Sequence, residues 1–270
     1  MRRLPTIAVA TAMALGGTLA CSYILELPGA SLIPPPEPDA DADDASTIPD
    51  GPSPFDGPRS APFCASRTEP SLWCSDFDDE PAPPVTSLGT VSLSGAQLVL
   101  SNAVARSTPR ALLASVRDGT DAIAAVTQPL GVDPDGVTLS FDLLVSAWDT
   151  TGAQLSQIEL AGPTERCVVR LDGSAAAWAI TQVCGAPGAE SARETTATPS
   201  PVVLGRWQRF ALEVAFAPTP SVTLDVDGVR TSAPAVAPLQ RGAASVTVGA
   251  TLVPAGSVTL FQDDVLVTSP

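Results

Sequence analysis

The stretch that decides the fold is the last one, S257-V-T-L-F-Q-D-D-V-L-V267. Val258, Leu260, Val265 and Val267 follow the period-two pattern of a half-buried strand, and Asp263-Asp264 interrupts it. Adjacent strand residues point to opposite faces, so one of these carboxylates is aimed at a face shared with Phe261, Val265 and Val267. A charge there is costly unless it is paired. A second acidic stretch, SDFDDE at 75–80, opens the patterned region. Its Asp76 and Asp78 are expected on one strand face with Phe77 on the other, and the two acidic ends are expected to be neighbours in one β-sandwich.

Working back from the end, the same alternation recurs. Val137, Leu139, Phe141, Leu143 and Val145 mark one strand; Phe210, Leu212, Val214 and Phe216 mark a second; Val222, Leu224 and Val226 mark a third. Further strands are expected over 91–100, 111–117, 121–128, 153–160, 166–172, 176–183 and 244–250. Turn chemistry separates them at Pro134-Asp135-Gly136, Asp172-Gly173, Asp227-Gly228 and Pro254-Ala255-Gly256. No segment carries helical periodicity with caps. About ten to thirteen strands predict an all-β protein, an antiparallel two-sheet β-sandwich over 63–270.

The remainder is not sandwich. Arg2 and Arg3 precede an apolar run, Thr6–Ala20, that is shorter than the ~20 residues a spanning helix needs. Thr18-Leu19-Ala20-Cys21 resembles the lipobox of bacterial lipoproteins, with Leu one place nearer the cysteine than is usual. The resemblance implies a signal peptide over 1–20, lipidation of Cys21, and a place in the bacterial cell envelope, at the outer membrane. Residues 21–62 are rich in proline and acid (IPPPEP, DADADD, GPSPFDGP), which predicts an extended, disordered tether. It lacks the ligand spacing of an EF-hand loop.

The chain holds 29 acidic and 14 basic residues, all of the latter arginine, and its net charge is −15. Loss of Arg2 and Arg3 would take it to −17. Such a chain repels nucleic acid. With Cys21 given to lipid, Cys64, Cys74, Cys167 and Cys184 remain, an even set for an oxidising compartment. Three connectivities exist, and the local pairs 64–74 and 167–184 are the expectation. The second would clamp the open end of a hairpin turning near Asp172-Gly173.

Chemistry is limited by absence. Without His there is no Ser-His-Asp triad and no imidazole-held zinc, and without Lys neither a P-loop nor a Schiff base. The reading is therefore of a protein that is not an enzyme. Asp76, Asp78, Asp263 and Asp264 admit two roles: acceptors of backbone and Arg hydrogen bonds at a bulge, or ligands of a calcium ion, which needs six to eight oxygens. Trp207, in GRWQRF, is expected in the core, Trp73 over the end of the sandwich, and Trp178 on either face of its hairpin. Trp148, ending a strand beside Asp149, is the candidate ligand contact, suited to carbohydrate.

WCSDFDD (73–79), STPRALLASV (107–116), GRWQRFALEV (205–214), VTLDVDGV (222–229) and FQDDVLV (261–267) together resemble the concanavalin A-like lectin/glucanase superfamily, most of all LamG-like jelly-roll domains of bacterial lipoproteins. The resemblance implies a jelly roll in which the opening acidic strand and the closing DDV strand lie together. The catalytic E-x-D-x-x-E strand of the family's glucanases is missing, so their activity is not implied. The expectation is a lipid-anchored envelope protein with a non-catalytic carbohydrate-binding sandwich. Alternatives are a structural or adhesive component partnered by another envelope protein, and a degenerate glycoside hydrolase.

Overall fold

A computed structural model of the chain describes residues 63–269, apart from 69, 80, 132–133, 187–188 and 217–218. The signal peptide, Cys21 and the tether lie outside the described residues. Thirteen strands follow: β1 (Trp73–Ser75), β2 (Thr90–Ser94), β3 (Ala96–Ser101), β4 (Ala111–Pro129), β5 (Gly136–Asp149), β6 (Ala153–Ala161), β7 (Arg166–Gly173), β8 (Trp178–Ala186), β9 (Ala189–Ala197), β10 (Trp207–Ala215), β11 (Ser221–Val226), β12 (Val229–Pro234) and β13 (Ala243–Thr268). Two short 3-10 turns are the only helical pieces among the described residues.

β4 and β13 are long enough to serve two sheets. The C-terminal part of β13 pairs with β5, and β10, β11 and β12 continue outward; the N-terminal part of β4, then β3, lie on its other side. We call this the first sheet. The second is built on the N-terminal part of β13, with β6, β7, β8 and β9 on one side and the C-terminal part of β4, then β2, on the other. The alternating apolar residues of both sheets meet between them: Phe141, Phe210 and Leu224 from one, Ile158, Leu171 and Trp178 from the other. Phe141 and Phe210 stack with centroids 5.4 Å apart, and Trp178 meets Phe210 edge-on at 5.1 Å. The antiparallel sandwich of the sequence reading is what forms.

Two expected turns do not exist. Pro254-Ala255-Gly256 lies inside β13, where pairing with β4 shifts register on either side. Gly249 and Gly256 sit in the left-handed region at φ +111° and +88°, and a Cβ at either would run into a carbonyl oxygen of the neighbouring strand. Glycine there lets one strand bend from sheet to sheet instead of reversing. Segments 111–117 and 121–128 are likewise one strand, β4. Asp172-Gly173 ends β7, and the reversal falls at 174–177, where Ser174 N donates to the Ala177 carbonyl at 3.0 Å. Both disulfides take the local pairing: Cys64–Cys74, and Cys167–Cys184 across the β7–β8 hairpin in direct register.

Candidate functional site

The acidic ends do meet. β1 pairs antiparallel with the end of β13, Trp73 opposite Val267 and Ser75 opposite Val265. The strand stops at Ser75, however, so Asp76 and Asp78 do not share a strand face. Phe77, at φ +61°, turns its ring into the core. Asp76 Oδ2 accepts from Cys64 N at 2.9 Å, and Asp78 Oδ1 accepts from Arg110 N at 2.9 Å. Asp263-Asp264 forms a bulge: Asp264 takes φ +51°, and pairing with β5 jumps from Asp263/Asp142 to Leu266/Ser140.

Asp263 organises the segment between β3 and β4. Its Oδ2 accepts from Arg106 N at 2.8 Å and Ser107 N at 2.9 Å; its Oδ1 accepts from Ser107 Oγ at 3.2 Å and Asp264 N at 2.8 Å. Asp142, opposite it on β5, is paired by Arg106 at 3.7 Å and Arg209 at 3.4 Å. The segment is thereby strapped over the first sheet's outer face, where Val104 and Ala105 pack on a small cluster of Ala111, Leu144, Trp207 and Phe261. Trp207 thus anchors this outer cluster and not the main core. Burial pushes the Asp263 carboxyl up to about 8, the Asp264 charge adds to the rise, and the backbone donors oppose it. Burial also raises Asp78, against the Arg110 backbone bond.

All four acids predicted as a site are thus drawn to one region, and the carboxylates of Asp76, Asp78 and Asp263 are bonded mainly by backbone donors. Asp142, Asp263 and Asp264 are at most 1% exposed. Among the described residues no group of three acid, Cys or His side chains is disposed to hold a metal ion.

Trp148 stands at the other end of the sandwich, partly exposed, beside exposed Asp149. Its Nε1 donates to the Thr150 carbonyl at 3.0 Å, and its ring meets Trp178 edge-on at 6.1 Å. Trp178 is fully buried, which settles its face. Around Trp148 lies a depression of about 450 Å³ that reaches Thr150, Ala175, Ala255 and Gly256.

The second sheet's outer face holds an arrangement that sequence reasoning missed. Thr90, Thr127, Thr247, Gln157, Arg170, Thr181 and Thr195 are direct register partners, one from each strand in turn from β2 to β9. At ~4.8 Å per strand the row runs about 29 Å. Thr127 and Thr247 hydroxyls bond at 2.9 Å, as do those of Thr181 and Thr195. Arg170 Nε donates to Asp172 Oδ1 at 2.9 Å, and Thr181 Oγ1 donates to Asp172 Oδ2 at 2.7 Å. The Arg170 Nη2 donors have no hydrogen-bond partner. Beside the row, Arg166 grips Glu159 with two bonds of 2.7 and 2.8 Å. In sequence each of these residues is only the polar half of an alternation.

No protein-family model and no curated protein sequence matches this chain. Solved structures do. An endo-β-1,4-glucuronan lyase from the fungus Trichoderma reesei superposes with a TM-score of 0.59 at 14% identity, covering 74% of this chain and 96% of its own. The cellulose-induced protein Cip1 gives 0.53 at 14% identity, covering 73% and 97%. A sialidase gives 0.50 at 14% identity over 74% of this chain and 19% of its own. The fold is therefore an antiparallel β-sandwich shared with this glucuronan lyase and with Cip1, consistent with the jelly roll expected from the sequence.

This corrects the expectation that the protein is not an enzyme. That expectation rested on missing His, Lys and glucanase motifs, which exclude particular mechanisms. The fold itself is one that a polysaccharide lyase uses.

Proposed function

We propose that this chain is a lipid-anchored protein of the bacterial cell envelope whose sandwich engages a polysaccharide along the outer face of the second sheet. The observation that supports this reading is the Thr–Gln–Arg row, which runs in direct register across seven strands of that face. A flat row of hydroxyl, amide and guanidinium groups suits a chain of sugar hydroxyls, and a guanidinium suits a sugar carboxylate. Uronate polysaccharides are the first to test, because a neighbour in fold is described as a glucuronan lyase. Cleavage by β-elimination, which leaves an unsaturated, ultraviolet-absorbing sugar, is the reaction to assay with them.

The test is retention of the full chain by glucuronan, alginate and cellulose in affinity electrophoresis, with product absorbance followed in parallel. Arg170→Met should weaken retention by about tenfold, the value of one charge-assisted contact of about 1.4 kcal/mol. If no polysaccharide retains the wild type, the reading fails. For the anchor, Cys21→Ser should move the protein from membrane to soluble fraction; unchanged membrane retention would remove that part of the reading.

A further inference from the structure

We infer that the Trp148 end of the sandwich is a second saccharide site, one that takes a neutral sugar. It goes beyond the sheet-face reading and rests on different residues. Three loops converge there: the β5–β6 turn, the β7–β8 turn, and the bend inside β13 at 254–256. Thr150 Oγ1 ties the first to the third, lying within hydrogen-bonding distance of both the Gly152 and the Ala255 carbonyls. Gly256 is what lets β13 come this close, since a Cβ there would strike the Asp149 carbonyl. The loops are thus mutually braced, as a preformed site requires.

The indole is fixed before any ligand arrives. Its Nε1 is bonded to Thr150, its edge meets Trp178, and its Cη2 corner occupies the space a side chain at Gly173 would take. A locked, part-exposed aromatic ring offers an apolar platform at little entropic cost. The C–H face of a pyranose is the matching surface. The polar side chain beside the ring is an acceptor, the exposed Asp149 carboxylate. Sugar hydroxyls donate to such groups.

Charge selects among sugars. The depression around Trp148 is lined by Asp149 and by no arginine. A uronate brought there would meet like charge, whereas a neutral sugar meets no such repulsion. The end site and the sheet face therefore differ in the sugar they take.

The experiment titrates the full chain with cello-, xylo- and manno-oligosaccharides while following tryptophan fluorescence. Of the four tryptophans, Trp178 and Trp207 are buried, so a response comes from Trp148 or from Trp73 at the far end. At least one oligosaccharide should change the emission, and Trp148→Phe should remove that change. Because Trp148 also packs on Trp178, two surface variants carry the decision: Ala175→Arg, which fills the depression, and Asp149→Arg, which reverses its charge. Each should weaken binding about tenfold or more, the scale of a lost stacking and hydrogen-bond contact. If none of the three sugars alters the fluorescence, or if both arginine variants bind as the wild type does, the inference is overturned. Ala175→Arg should leave retention by uronate polysaccharides at the wild-type level, so failure of the end site and failure of the sheet-face reading give different results.

Discussion

The two outer faces of the sandwich use polar side chains for opposite ends. On the first sheet, Asp263, Asp142 and Arg106 are sealed beneath the segment that follows β3, and Asp263 alone accepts four bonds. On the second sheet, Gln157, Arg170 and Thr195 stand in a row that no further segment covers among the described residues. The difference teaches that Asp263, the most conspicuous charge of this chain, has both its oxygens occupied by the fold. A buried carboxylate must have its acceptor capacity filled by the fold, and once filled it has nothing left for a ligand.

The largest effect that would sharpen this contrast comes from Asp263. Asp263→Ala removes the acceptor for the Arg106, Ser107 and Asp264 backbone N–H groups and should cost about 3–5 kcal/mol, the scale of leaving several buried donors unsatisfied. Urea unfolding reads it. Retention by polysaccharide, per folded molecule, should not move; if it does, the two faces are not separate in function. The same residue has a pH signature. Its carboxyl keeps its proton to about 8 in the folded state, against 3.8 for an ordinary aspartate. Between those values the folded chain binds the extra proton, so stability falls as pH rises through that window. Asp263→Asn should remove that slope, seen as a difference between the two melting-temperature profiles. Parallel profiles would mean that the neighbouring donors hold the carboxylate ionised throughout.

How much of this was legible in the chain follows from the range of the interactions. Strand alternation is local, so β5, β10 and β11 can be read from their own residues, and the short Cys spacings pointed to the right disulfides. The meeting of SDFDDE with FQDDVLV was legible too, from the family resemblance, although the donors to these acids come from Cys64 and the 106–110 segment and not from each other. β9 was missed, since AESARETTA carries no apolar alternation and lies at a sheet edge, where charge protects against further pairing. The unity of β4 and β13 was hidden because Pro-Ala-Gly has the composition of a turn, and only the neighbouring carbonyls reveal that Gly256 bends a strand instead. Trp207 was misplaced for a related reason: alternation assigns a face but cannot show that the outer face is itself covered. The seven-residue row depends on register across seven strands, which no local pattern carries.

The smallest effect is the most decisive for the second face. Thr181 is a fully buried member of the row, donating to Asp172 and bonded to Thr195. Thr181→Val keeps the shape and removes the hydroxyl, so the stability cost should be about 1 kcal/mol, the net value of a neutral hydrogen bond, and no more. Its effect on the row acts through Asp172, which would lose one of two partners and swing with Arg170, whose side chain is only 11% exposed and has little room to follow independently. Retention by polysaccharide should therefore fall several-fold while the urea midpoint moves slightly. If instead the midpoint drops as far as it does for Asp263→Ala and retention of the folded fraction is unchanged, the row is a structural network like its counterpart. The two faces would then differ only in how deeply their polar groups are covered.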